Sequence, residues 1–427
     1  MPETDALSVG KTYCPHCHTE ITVNKGYISW CEACNWNINP LNKQESAGVL
    51  QNLYSRMSRK LGEKLLHLMK QGYYQSKLTP SLCLAYILSG CVHLVSFAIL
   101  VTGSWLAVIG WGKFFFLLGS LVCFVIAWLT RPRFGKLHDP ILSKKEFPTL
   151  YKVANDIASV LQSKPVTGIT IGYEYNAAFE SVGIRGHQYL NLGLPLFAVL
   201  NAEERVALIA HELGHGVNKD TSKGFFIGSA LSTLTVWHDL LRPDSIIERS
   251  PSFIDVMMIP INLILLGLSR IIYGILYFLA HLLWQDSQRA EYMADYLATK
   301  VSGVKAKVSL LEKLHLAQYF NFVLQKMLMA KEHATLFQEL RQQFDHMPQQ
   351  EITRIQKIGR MVESRLDSTH PPTAYRIEFL EAQGNVSPAY EITDQDQELL
   401  EQELRKLEEQ IQPKIMNYYK EHQYLLH

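Results

Sequence analysis

Two apolar runs in the N-terminal third limit the folds open to this chain more than any other feature. Residues 82 to 101, LCLAYILSGCVHLVSFAILV, hold no Asp, Glu, Lys or Arg, over the roughly 20 residues an α-helix needs to cross a bilayer. Residues 105 to 129, WLAVIGWGKFFFLLGSLVCFVIAWL, are interrupted only by Lys113, a side chain long enough to reach an interface. Hydrocarbon offers no partner to a backbone amide, so each run predicts a helix. Thr102, Gly103 and Ser104 predict the tight loop between them. Arg56, Arg59, Lys60, Lys64, Lys70 and Lys77 precede the pair, and Arg131, Arg133, Lys136, Lys144 and Lys145 follow it. Positive charge on both flanks places both ends of this hairpin in the cytosol. The competing expectation is a pair of buried helices in a soluble protein.

Composition agrees with a soluble body carrying a few membrane segments: 48% of residues are hydrophobic and 19% charged, against about 25% charged in soluble domains. The net charge of +1 provides no global field for nucleic acid or for a strongly acidic partner. The N-terminal MPETDALSVGKTYC lacks a basic segment leading into an apolar run, so no cleaved signal peptide is expected and the N-terminus stays cytosolic.

Seven cysteines fall into two sets. Cys83, Cys91 and Cys123 lie in apolar runs and read as small hydrophobes. Cys14, Cys17, Cys31 and Cys34 form CPHC and CEAC, a paired CxxC pattern that offers four thiolates to one zinc ion from two tight turns. Two disulfides or a redox CxxC are the alternatives, but no βαβ pattern follows and cytosolic thiols stay reduced. Four thiolates leave no open coordination position, so this zinc would be structural. With no basic patch around it, the ribbon favours a protein contact over nucleic acid.

From 131 to about 223 the pattern is globular. GITIGYEYNAAFESVG and HQYLNLGLPLFAVL read as strands separated by a turn, followed by a helix opening near NAEERVALIAHELGHG. Asn201 is a candidate N-cap, with Glu203 and Glu204 at the positive helix end. His211 and His215 are four apart, so on a helix their imidazoles share a face and can converge on one metal ion. Glu212 stands beside them, where a carboxylate can act as base in metal-assisted hydrolysis. A chance HExxH is the bland alternative, and a third ligand decides against it. SQRAEYMADYLAT supplies one: Glu291 can reach the metal, while Asp295, one turn on, can orient a ligand histidine. By itself ExxxD is a common solvated helical face.

HELGH, Glu291 in EYMAD, NAAF upstream, STHPPTAYRI downstream and the flanking apolar runs together resemble the integral-membrane gluzincin metalloproteases of the HtpX and Ste24 type, family M48. The resemblance covers about 131 to 382 and leaves out the ribbon. It implies zinc held by His211, His215 and Glu291, with Glu212 as general base and Asp295 behind the ligands. It also implies an edge strand at Asn176 and Ala177 that holds an extended substrate by strand addition. His370, in HPP, becomes a candidate for steadying the oxyanion, against the simpler reading of a histidine at a helix start. Arg376 would either orient active-site groups or form a structural ion pair.

Both metal-binding helices must meet at one ion, so the chain between them crosses the membrane an even number of times. Residues 224 to 241 and about 256 to 282 supply a second hairpin, with RPDSIIERSPS on the far side; four spans are preferred to two. The second run exceeds one span at about 1.5 Å per residue, and its excess could lift Glu291 to the metal. Arg270 would either snorkel or mark a polar cavity.

The expected fold is α+β and mainly α: a multi-pass membrane protein with a gluzincin-like protease domain and a four-cysteine zinc ribbon. Its parts are a ribbon (1–40), a basic helical linker (41–78), a transmembrane hairpin (79–130), a first protease segment (131–223), a second membrane hairpin (224–284), a second protease segment (285–382) and an amphipathic C-terminal helix (383–427). The expected activity is zinc-dependent endoproteolysis of unfolded or membrane polypeptides at the cytosolic face of the cell membrane. Two zinc ions, one catalytic and one structural, are the expected cofactors. Substrate polypeptides, the lipid bilayer and a protein partner of the ribbon are the expected contacts. Processing of prenylated peptides is open by analogy with Ste24, though the spans are few for a large chamber. The alternatives are a degenerate membrane adaptor that recruits partners through the ribbon, and a soluble zinc protease.

Overall fold

The computed structural model describes residues 9–40, 49–73, 79–131, 139–183, 186–217, 220–243, 253–329, 335–361 and 370–422. Its described residues form a mainly helical α+β fold. Strands β1 (Val9–Tyr13) and β2 (Glu20–Asn24) make an antiparallel hairpin with Tyr13 opposite Glu20, so Cys14 and Cys17 fall in its turn. Helix α1 (Val49–Lys70) covers much of the expected linker. Its Leu65, Leu66 and Met69 are buried against Tyr292, Leu311 and Phe379, so it is docked on the body.

Helices α2 (Pro80–Ile109) and α3 (Phe114–Leu129) form the first apolar hairpin. Thr79 caps α2, accepting from the Leu82 amide at 3.2 Å. The loop expected at Thr102 to Ser104 is instead helical. Ser104 Oγ bonds back to Leu100 O at 3.0 Å, and Ser120 Oγ of α3 donates to Gly103 O at 2.7 Å. Small polar residues whose hydroxyls find carbonyls in this way can sit inside a membrane helix. The turn comes later, at Gly110 to Lys113, where Gly112 takes φ +78°, a conformation that favours glycine. Pro80–Ile109 and Met257–Ser302 are long and apolar enough to cross a membrane, and α3 is a shorter apolar helix. Their flanks are open: Val108 is 76% and Phe115 82% exposed. Apolar surface on this scale is not left in water by soluble proteins, so these are membrane helices and the soluble-core expectation fails.

Helix α4 (Pro148–Val160) leads to strands β3 (Gly168–Gly172), β4 (Ala177–Val182) and β5 (His187–Gly193) in the order β3-β5-β4. β3 runs parallel to β5, and β4 antiparallel to it, leaving β4 at an edge. The strand expected over 187 to 200 stops at Gly193. LPLFAV is a helix, α5 (Leu194–Val199), with Pro195 in its first turn, where the missing amide costs nothing. Helix α6 (Ala202–Val217) carries the histidines.

Helices α7 (Asp220–Leu241) and α8 (Phe253–Ser302) follow. Ile227, Ala230 and Leu234 of α7 pack with Leu82, Ala85 and Val92 of α2 and Leu279 of α8. Helix α8 has 50 residues, about 75 Å at 1.5 Å each. It runs unbroken from the apolar stretch to Glu291, the excess length the sequence called for. Most of the connecting loop, 244–252, lies outside the described residues.

The stretch expected as the second protease segment contains α9 (Val304–Leu314), α10 (Ala317–Met329), α11 (Leu336–Asp345), α12 (Gln349–Met361) and α13 (Thr373–Glu381). The C-terminal α14 (Asp394–His422) lays Leu400, Leu404, Leu407 and Ile411 into the main core with α4 and the sheet. Its Glu403 accepts from the Thr149 and Leu150 amides at 2.7 and 2.9 Å, capping α4. The last helix therefore packs on the body.

Candidate active site

A reciprocal cap starts α6. Asn201 Oδ1 accepts from the Glu204 amide at 2.9 Å, and Glu204 Oε2 accepts from the Asn201 amide at 2.8 Å, satisfying two amides the first turn would leave open. Glu204 also accepts from Ser309 Oγ and Lys313 Nζ, both at 2.6 Å, tying the helix start to α9. About three turns on, glycines flank His215. A Cβ on Gly214 would stand 3.1 Å from Ala294 Cα of α8, and one on Gly216 would stand 2.7 Å from the Phe179 ring of β4. The bare backbone lets α8 close on one side of the histidines and the edge strand on the other.

This close crossing brings three side chains from two distant segments together. His211 Nε2 lies 3.5 Å from Glu291 Oε2, and His215 Nε2 lies 3.6 Å from Glu291 Oε1. The two imidazoles stand nearly perpendicular, 5.0 Å apart, and one ligand atom from each of the three residues lies within 4.8 Å of the others. Such separations are too long for good hydrogen bonds. They match two donors on one tetrahedral zinc, about 3.3 Å apart when each bond is 2.0–2.1 Å. Glu291 Oε2 is buried without a well-aligned hydrogen-bond partner, although His370 Nδ1 at 3.0 Å and Arg376 Nη2 at 3.4 Å are close. An inward-facing carboxylate oxygen left this way suits a cation, so the donor set fits a metal ion.

Behind the ligands lies a second layer, fully enclosed. Asp295 is 0% exposed and its Oδ1 stands 3.1 Å from His211 Nδ1. Arg376 grips the same carboxylate as a fork, Nε to Oδ2 and Nη2 to Oδ1, both at 2.7 Å. Lys307 Nζ reaches Oδ1 at 3.0 Å. Buried charges persist only when paired in this manner. Of the two roles the sequence left open for Arg376, the ion pair is present, made with Asp295. Lys307 was not foreseen there. Its signal is its place on the apolar stripe of α9 with Val304, Val308 and Leu311, a face on which a lysine needs a buried partner. Gln288, also buried, donates weakly to His370 O at 3.4 Å.

Protonation in this cluster is set by burial working against charge. Burial drives His215 down to about 4, and neighbouring His211 adds to the effect, leaving an imidazole with a free lone pair at neutral pH. For His211, burial and Lys307 push downward, but the Asp295 and Glu291 carboxylates prevail and hold it above the usual histidine value. Burial raises Glu291, yet His211, His370 and Arg376 hold it well below the carboxylate range. Asp295 is likewise held low against burial by Arg376 and Lys307. Burial raises Glu212, and Glu291 adds to the rise. Two of the three donors are thus already in the state a metal requires, and at His211, held above the usual histidine value, a metal must compete with a proton.

Of the remaining candidates, His370 touches the cluster, whereas Asn176 and Ala177 sit at the start of β4. The His370 side chain is 62% exposed and reaches Glu291 through Nδ1. Asn176 O accepts from the Gly193 amide at 2.8 Å and Ala177 opens β4, whose Phe179 meets Gly216.

A separate cluster forms at the N-terminus. Cys14 and Cys34 Sγ are 3.6 Å apart and Cys17 and Cys31 Sγ 3.5 Å, with all four within 4.8 Å of one another. Disulfide sulfurs would stand about 2.05 Å apart. Four thiolates about 2.3 Å from a tetrahedral zinc would stand about 3.8 Å apart, so this donor set also fits a metal ion.

A model described as Peptidase family M48 matches residues 164–383, just over half of the 427 residues. That region holds His211, His215, Glu291, His370 and Arg376 and excludes the ribbon and the first apolar hairpin. The chain is similar to "Protease HtpX homolog 1" of Saccharolobus solfataricus, 27% identical over 210 residues covering 47% of this chain and 66% of that protein. The shared part is just under two thirds of that relative's length. It is also similar to "Protease HtpX homolog" of Pyrobaculum islandicum, 24% identical over 288 residues covering 65% of this chain and 79% of that protein. No solved structure matches the chain at a significant level.

Proposed function

The chain belongs to peptidase family M48, and from that premise we propose that it is a zinc-dependent endopeptidase that cuts unfolded or membrane polypeptides at the cytosolic face of a membrane. The observation that carries this reading is the convergence of His211, His215 and Glu291 beside Glu212 on the same helical turn. His211, His215 and Glu291 would hold the zinc ion. When bound, it supplies Lewis acidity to the scissile carbonyl and to water.

The chain's own residues do the rest. Glu212 takes a proton from the attacking water and passes it to the departing amine. Asp295 fixes the tautomer and tilt of His211 through Nδ1, and Arg376 and Lys307 fix Asp295. The free edge of β4, entered at Asn176 and Ala177, takes an extended substrate as an added strand beside α6. His370, exposed at the rim, is our candidate for steadying negative charge on the carbonyl oxygen. The cytosolic assignment is supported by the basic residues of α1 and by Arg131, Lys144 and Lys145 after α3. The four-cysteine cluster would hold a structural zinc.

Glu212→Gln tests the mechanism, because it preserves shape and all three ligands while removing the base. Purified protein should keep its metal and cleave an unfolded substrate at least ~10²-fold more slowly. Undiminished cleavage would remove Glu212 from the mechanism, and cleavage insensitive to a chelator would remove the metal.

A further inference from the structure

The ribbon lies outside the matched family region, and the face of it that carries Trp30 is already occupied by its own chain. Trp30 is 1% exposed and donates from Nε1 to Gln350 O at 3.3 Å. Asn24 Nδ2 donates to Gln350 Oε1 at 2.9 Å, and Lys357 Nζ donates to Glu32 O at 2.9 Å while lying 5.2 Å from the Trp30 ring centroid. Arg354 Nη1 donates to Ile38 O at 2.7 Å. The same guanidinium is forked onto Glu351 at 2.7 and 2.6 Å, and Glu351 also accepts from Tyr319 OH. Tyr27 packs with Leu316, Met347 and Ile355, and its hydroxyl accepts from Gln343 Nε2 of α11 at 3.0 Å. Gln350, Arg354 and Lys357, which make most of these polar contacts on the body side, all belong to α12.

Helix α12 in turn braces the two elements that hold the active-site carboxylate. Gln356 Nε2 donates to Glu312 Oε2 of α9 at 2.9 Å, and Arg360 Nη2 lies 3.5 Å from Glu312 Oε1. It also packs against α13. Helix α9 supplies Lys307 and α13 supplies Arg376, the two cations that pin Asp295 against His211. We infer that the metal-loaded ribbon is an intramolecular brace for the catalytic centre: docked on α12, it sets α9 and α13 and through them the Asp295 clamp on His211. Trp30 and Arg354 are positioning residues in this scheme. Metal in the ribbon matters because four ligated thiolates shape the small module that presents Trp30, Glu32 and Ile38; a domain of this size has little core of its own. The inference rests on the peptidase reading for its kinetic consequence but not for its structural one.

The test uses the full-length protein in detergent micelles. Trp30→Ala removes the anchor, Trp30→Phe keeps a ring there, and Tyr13→Ala alters the ribbon's exposed side. Lys357→Met loosens the dock from the α12 side without touching the ribbon. Metal content, amide hydrogen exchange and cleavage of an unfolded polypeptide are measured on each. Trp30→Ala should speed exchange in 304–314, 349–361 and 373–381, and lower kcat about tenfold with KM within about twofold, the range for loss of support behind a metal ligand. Lys357→Met should move the same readouts the same way by less, Trp30→Phe should restore most of the loss, and Tyr13→Ala should change nothing. Faster exchange confined to the ribbon, or an unchanged kcat while α12 exchanges faster, would overturn the brace. Should the unsubstituted protein cleave nothing, the peptidase reading fails separately. Exchange in α9 and α13, and the rate at which a chelator strips metal from His211, His215 and Glu291, then decide the brace, with several-fold faster loss expected in Trp30→Ala.

Discussion

Replacing Asp295 by Asn should unfold the protein at a much lower temperature, because two buried cations lose their shared anion. The side chain keeps its volume, so no cavity contributes. In the folded protein Asp295 takes two 2.7 Å contacts from Arg376, one of 3.0 Å from Lys307 and one of 3.1 Å from His211. An amide can accept through one oxygen only; its NH2 group would face an Arg376 donor. At least one charge-assisted hydrogen bond is lost, worth about 1.5–3 kcal/mol, and the guanidinium and ammonium are left uncompensated. Breaking a buried ion pair from one side costs about 3–5 kcal/mol. With about 2–4 °C per kcal/mol for a domain of this size, the unfolding midpoint should fall by about 10 °C. Loss of the partner behind His211 should also weaken zinc binding about 10- to 100-fold.

Thermal unfolding in detergent and competition with a chromophoric chelator measure the two effects. Adding Lys307→Met to Asp295→Asn should recover part of the stability, since one unpaired buried cation is then gone. A midpoint within about 2 °C of the unsubstituted protein, or a double variant worse than the sum of the singles, would refute the reasoning. The part of the stabilisation that comes from Arg376 and Lys307 should also be insensitive to pH across the neutral range. Arg376 and Lys307 hold folded Asp295 well below its ordinary value, so its contribution is complete above about pH 4 and disappears only as pH falls further, through the depressed folded value.

Two other outcomes follow from the same site. Gly214→Ala places a Cβ 3.1 Å from the Ala294 backbone; α8 must move away, at about 1–3 kcal/mol for overpacking, and metal content should drop although no ligand has changed. Zinc affinity should weaken as pH falls from about 8 to about 6, by up to about tenfold per unit, because His211 is held above the usual histidine value and must give up a proton to bind. A flat affinity measured by calorimetry over that range would mean His211 is already neutral.

Much of this site can be read in one dimension, and the reason is geometric. On an α-helix, residues four apart share a face, so HELGH presents two imidazoles and ExxxD two carboxylates whatever surrounds them. Paired CxxC turns bring thiolates together locally in the same way, and an uncharged run of bilayer length commits its backbone to a helix by itself. Where local chemistry permitted two outcomes, packing chose. Thr102, Gly103 and Ser104 look like a loop until Ser120 donates across to Gly103. LPLFAV continues a strand pattern until Pro195 falls in the first turn of a buried helix.

What no local pattern contains is convergence. Glu291 reaches His211 and His215 because α8 is continuous for 50 residues and because Gly214 lets it come close. Lys307 and Arg376 become partners only when α9 and α13 fold onto the same carboxylate, and Trp30 becomes buried only when the ribbon meets α12. Sequence alone determined the chemical types of the donors, their helical spacing and the apolar lengths that commit this chain to a membrane. The tertiary structure decided which charges share Asp295, where the helices turn and what the ribbon holds, since these depend on distances between segments far apart along the chain.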